Sequence, residues 1–146
     1  MKYVSIFLFV VSAFITNVDA QVLSPVEWSF EVEQQGDTYT LTATADMEDK
    51  WVIYSQHTGE GGPIPMTFTY ESDVDLIGET VEESDAITEM SEMFMTEVIK
   101  FKKKGVFTQK FKAKSGVKNI KGYLTFMCCD SKRCLPPTDV SFDIAL

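Results

Sequence analysis

The sequence predicts an all-β protein, an antiparallel sandwich of short strands. Three observations carry this. Apolar residues recur with period two, turn signals separate the runs, and no segment shows a capped helical stripe. Trp28, Phe30 and Val32 alternate with polar residues, and Tyr39, Leu41, Ala43 and Ala45 do the same. Met66, Phe68 and Tyr70 form a third run. Phe107, Gln109, Phe111 and Ala113 form a fourth, and Val140, Phe142 and Ile144 close the chain. Period two gives each strand one buried and one wet face. Residues 51–56, 74–77, 97–102 and 122–127 read as further strands. Turn signals fall at Gln35-Gly36-Asp37, at 59–65, at Lys104-Gly105 and at Ser115-Gly116. Roughly eight or nine short strands fit a sandwich. The paired distant cysteines flanking a tryptophan that mark immunoglobulin domains are absent, so "immunoglobulin-like" describes architecture only.

The chain of 146 residues opens with MKYVSIFLFVVSAFITNVDA. Lys2 precedes an apolar run, and Val18-Asp19-Ala20 offers a cleavage site before Gln21. Residues 1–20 are expected to be a cleaved signal peptide, with a single domain over 21–146. The apolar run is short for a spanning helix, which needs roughly 20 residues. The expectation is export to the periplasm, with no membrane embedding once mature. Cleavage removes Lys2 and Asp19 and leaves the charge at −9. Such an acidic chain argues against nucleic acid as a partner.

Two segments break the alternation. Residues 59–65, GEGGPIP, read as a loop. Residues 79–97 are acidic yet carry Met90, Met93, Phe94 and Met95. Apolar side chains in an acidic segment need something to cover. They form either a satellite core cluster or a lid over a site elsewhere.

All three cysteines, Cys128, Cys129 and Cys134, lie in FMCCDSKRCLPP. Export makes a disulfide the default for two of them. A structural staple gains most by closing a long loop, whereas any bridge to Cys134 closes only four or five intervening residues. A zinc site would need His57, the one histidine, as fourth ligand. Adjacent Cys128 and Cys129 face opposite sides of a continuing strand, which disfavours it. The third reading is thiol–disulfide exchange. Lys132 and Arg133 favour a Cys134 thiolate and Asp130 opposes them. Pro136-Pro137 stiffens the exit. No metal and no organic cofactor is required.

The element Cys129-Asp-Ser-Lys-Arg-Cys134-Leu-Pro-Pro, followed by an alternating strand with Phe142, resembles the periplasmic amino-terminal domain of the reductase DsbD. Trp28-Ser-Phe-Glu-Val, Trp51-Val-Ile-Tyr54-Ser, Gly61-Gly-Pro-Ile-Pro and Met93-Phe94 leading to Phe107 are similar too. The likeness covers about residues 24–146. It implies an immunoglobulin-like sandwich with a redox-active cysteine pair at one end. It implies electron relay from a thioredoxin-like periplasmic protein or a membrane-embedded reductase to disulfide isomerases or cytochrome c maturation proteins. It implies a cap loop, in which Phe94 would shield the disulfide with Glu92 beside it as a tuning acid. Family spacing admits Cys129–Cys134 and Cys128–Cys134, and the first is favoured. Cys134 is common to both and is the expected mixed-disulfide former. Cys128 is then a buried thiol or an alternative resolving partner. The chain ends at Leu146 without a membrane or thioredoxin-like domain; if it is complete, it is expected to take electrons from a separate protein or to serve another purpose. The rival expectation is an exported immunoglobulin-like binding module with a merely structural disulfide.

Overall fold

The computed structural model describes residues 23–146. The expected signal peptide over 1–20 and its cleavage point lie outside the described residues. Among the described residues the chain is built from eleven strands, all paired antiparallel. One layer is β1 (Val26–Gln35), β2 (Thr38–Met47), β8 (Lys104–Ala113) and β5 (Val74–Glu82), in the order β1-β2-β8-β5. Facing it are β11 (Thr138–Ala145), β9 (Asn119–Phe126) and β4 (Thr67–Tyr70), in the order β11-β9-β4. The third sheet has β10 (Cys128–Cys129), β3 (Val52–Tyr54), β7 (Thr96–Lys102) and β6 (Ile87–Ser91), in the order β10-β3-β7-β6. Only Met127 separates β9 from β10. One run of chain therefore carries the sandwich face into the sheet that holds the cysteines.

The expected antiparallel sandwich is what these residues form, and the period-two runs supply its core. Leu41, Ala43, Ala45 and Met47 of β2 point inward, as do Phe107 and Phe111 of β8. They meet Ile120, Leu124 and Phe126 of β9 and Phe142 of β11. Aromatic pairs bridge the layers, among them Trp28–Phe126 at 5.3 Å and Phe30–Phe142 at 5.2 Å between ring centroids. Tight approach makes one glycine indispensable. A Cβ at Gly122, in β9 between β4 and β11, would stand 2.2 Å from the Thr69 carbonyl oxygen and 2.8 Å from Phe142 Cζ. Gly122→Ala should therefore destabilise the domain by about 2–3 kcal/mol, read as a lower denaturant midpoint. An unchanged midpoint would mean that the sheet yields at no cost there.

Two expectations need correction. Residues 79–97 are not an irregular segment: β5 runs on to Glu82 and β6 forms a hairpin with β7. Only Ser91 of β6 escapes full exposure, so neither face buries an apolar set and no alternation marks the strand. The turn expected at Lys104-Gly105 sits one residue earlier. Lys103 alone separates β7 from β8 and takes φ 66°, turning the chain from one sheet to the other. Gly105 lies inside β8, where a Cβ would meet the Phe107 ring at 3.0 Å.

Candidate functional site

The cysteine hairpin is set by backbone pairing. The Leu135 N–H donates to the Cys128 carbonyl and the Asp130 N–H to the Arg133 carbonyl, each at 2.9 Å. Between these bonds Cys129 and Cys134 stand directly opposite each other, Cα atoms 4.0 Å apart, joined as a disulfide. Asp130 closes the turn. Its Oδ1 accepts the Lys132 and Arg133 N–H groups at 2.7 and 2.8 Å, which holds its carboxyl below the usual carboxylate range. Arg133 reaches back over the Trp51 ring at 5.8 Å.

Register decides the pairing. Cys128 lies opposite Ile53 and Cys129 opposite Val52, so the adjacent cysteines take opposite faces of the sheet. Cys128 joins the main core with Ile53 and Phe101. It is unpaired, and burial pushes its thiol up to about 11, which keeps it protonated and inert. Cys129 joins Val52, Tyr54 and Val98 on the outer face, where Cys134 also packs. The two bridged residues differ in exposure: Cys129 is 1 % exposed, whereas Cys134 is partly exposed.

A second hairpin, β6–β7, leans over this outer face. Its turn spans Glu92 to Met95 and is tied by the Met95 N–H to the Ser91 carbonyl at 2.8 Å. Met95 takes φ 56°, a left-handed conformation that costs a residue with a Cβ about 1 kcal/mol. Phe94 packs onto the cluster that holds the disulfide and meets Tyr54 edge to face at 6.0 Å. Its neighbour makes the sulfur contact: Met93 Sδ lies 3.4 Å from Cys134 Sγ. Glu92 is exposed in the same turn. Burial, then the charge of Glu89, pushes the Tyr54 phenol up to about 12. Beside the bridge opens a cleft of about 720 Å³, lined among others by Trp51, Tyr54, Met93, Lys100 and Asp130.

The site thus brings together Cys129, Cys134 and Phe94, sets Cys128 apart on the core side, and places Glu92 at the rim. Sequence reasoning did not single out Met93 as a contact of the bridge, nor Tyr54 and Val98 as its platform. The signal for the platform was present in WVIY, an apolar run without alternation, since a strand covered on both faces reads that way.

Fold and bridge together define a class: a small immunoglobulin-like sandwich with a hairpin disulfide at one end, under a cap. The chain belongs to the family described as thiol:disulfide interchange protein DsbD, N-terminal, which matches residues 19–146. No curated protein matches the chain significantly. Among solved structures, the N-terminal periplasmic domain of ScsB from Proteus mirabilis aligns with TM-score 0.67 at 16% identity. That alignment covers 84% of this chain and 47% of the other, so the chain spans about half of that relative. The reduced N-terminal domain of DsbD from Neisseria meningitidis gives 0.57 at 20% identity, covering 81% and 84%. A complex of the DsbD and PilB N-terminal domains from Neisseria meningitidis gives 0.56 at 17%, covering 80% of each chain. At these identities the likeness is one of fold.

Proposed function

We propose that the mature chain, residues 21–146 after cleavage of 1–20, is a periplasmic thiol–disulfide interchange module working through Cys129 and Cys134. The carrying observation is the unequal exposure of the two bridged residues, Cys129 buried and Cys134 partly exposed. In the oxidised form a donor thiolate attacks Cys134 Sγ and the Cys129–Cys134 bond breaks. The Cys129 thiolate leaves and takes a proton. A second donor thiol resolves the mixed disulfide, so two electrons enter the module and the donor leaves as a disulfide. In the reduced form the Cys134 thiolate attacks an oxidised partner, and Cys129 resolves that mixed disulfide to restore the bridge. No metal or organic cofactor takes part.

Donors on this reading are a thioredoxin-like periplasmic protein or a membrane-embedded reductase. Acceptors are disulfide isomerase or cytochrome c maturation-type thiol proteins. The solved complex of a DsbD N-terminal domain with a PilB domain supports docking of another protein domain on this fold. Phe94 acts as the cap that partner docking displaces, with Glu92 beside it. A purely structural bridge has little to offer here. It closes four intervening residues, and by chain entropy so short a loop contributes roughly 2 kcal/mol. The test is the reduction potential, read by alkylation and mass spectrometry across a thiol–disulfide buffer series. A midpoint of roughly −180 to −270 mV is expected, the range of exchange proteins. A midpoint below about −300 mV marks a structural bridge, and the binding-module reading then replaces this one.

A further inference from the structure

Methionine is unevenly distributed in this fold. Met47 and Met66 are buried, whereas three of the seven methionines fall in the cap hairpin. Met90 is 68 % exposed, Met93 44 % and Met95 82 %. Covering the bridge alone does not require thioethers, since Leu would serve the same packing. A thioether adds one property that Leu lacks, its two-electron oxidation to a polar sulfoxide. Met93 holds the decisive place, because its sulfur touches Cys134 Sγ at 3.4 Å.

We propose that Met93 is an oxidation site for peroxide-class oxidants, and that its sulfoxide uncovers the Cys134 sulfur. The inference rests on the exchange reading above and adds a control to it. The thioether sulfur attacks the peroxide, the O–O bond breaks, one oxygen stays on sulfur and the other leaves as water. Sulfur is oxidised by two electrons and peroxide is reduced by two. At 3.4 Å the two sulfurs are in contact, with no room for an oxygen between them. Met93 shares its cleft with Trp51, Val52 and Tyr54, an apolar wall that rewards a thioether and penalises a sulfoxide. Met93 therefore swings toward solvent when oxidised, and the partly exposed Cys134 becomes more open to thiolates. A sulfoxide reductase restores the thioether with two electrons and two protons, releasing the oxygen as water. Oxidising conditions would thus make the disulfide easier to reduce at the moment reducing power is needed. Cys128 does not compete for the oxidant, being buried as a protonated thiol.

The experiment treats the disulfide form with hydrogen peroxide, maps sulfoxides by peptide mass spectrometry, and follows reduction of the bridge by dithiothreitol. Losing the Met93 contact should speed reduction about three- to tenfold. The double variant Met90→Leu, Met95→Leu should respond as the natural chain does. Met93→Leu, given the same treatment, should show no acceleration. No acceleration in the natural chain with Met93 mapped as sulfoxide overturns the proposal, as does equal acceleration in Met93→Leu. The midpoint potential separates this from the exchange reading. A potential in the structural range with the acceleration intact fails the exchange reading alone. A potential in the exchange range without acceleration fails the Met93 site alone.

Discussion

Cys134→Ser abolishes thiol–disulfide exchange, while Cys129→Ser keeps the attacking sulfur and accumulates mixed disulfides. The difference follows from burial. Cys129 packs with Val52, Tyr54 and Val98 and is 1 % exposed, whereas Cys134 is partly exposed, so an incoming thiolate is expected at Cys134. Without Cys134 the remaining thiols are Cys129, 1 % exposed, and Cys128 in the core, 4 % exposed. The expected loss exceeds about a thousandfold, since no alternative nucleophile is reachable. The domain should stay folded, because removing so short a bridge costs roughly 2 kcal/mol. The backbone bonds at Cys128 and Asp130 still hold the hairpin. Trapping with an oxidised thioredoxin-like protein, followed by peptide mapping, checks both variants. Exchange that survives in Cys134→Ser, or a trapped adduct on Cys128, would remove the assignment of roles.

How much of this was legible in the sequence depends on how many faces of each strand are covered. Strands β1, β2, β8 and β11 wet one face, and Trp28, Leu41, Phe107 and Phe142 announced them by alternation. Strand β3 is buried on both faces, so Val52, Ile53 and Tyr54 run without a break, and only length and β-branching mark it. Strand β6 is covered on neither face and left no hydrophobic period at all. Residues 79–97, expected as a satellite cluster or a lid, hold the end of β5 and a hairpin organised by the pairing of β6 with β7. Local spacing left two bridges open to Cys134. The alternation of β10 against β3 separates them, since it turns Cys128 to the core and Cys129 to the cap. The Met93 contact was hidden for a different reason. It spans 41 residues in sequence, and no local rule sets which cap residue meets the sulfur.

Phe94→Ala should open the bridge to small thiols with little change in global stability. Phe94 is only partly buried, yet it is the aromatic anchor of the cap hairpin, set edge-on against Tyr54 and packed on the cluster that holds Cys129. Removing such a ring forfeits apolar burial and an aromatic pair, together about 2–3 kcal/mol of cap closure. That loss raises the open population, and with it the reduction rate by dithiothreitol, by about 30- to 160-fold. The core clusters around Phe101, Phe107 and Phe111 do not depend on the cap, so the denaturant midpoint should fall by less than the closure energy. The same variant should lose discrimination, because a thiol that needs no docking now reaches Cys134 almost as readily as a protein partner does. The decisive readout is the ratio of the two rates. If small thiols reduce the variant no faster than the natural chain, Phe94 is not the gate and the cap reduces to the Met93 contact. If both rates rise together, the hairpin limits access in general and confers no selectivity on the module.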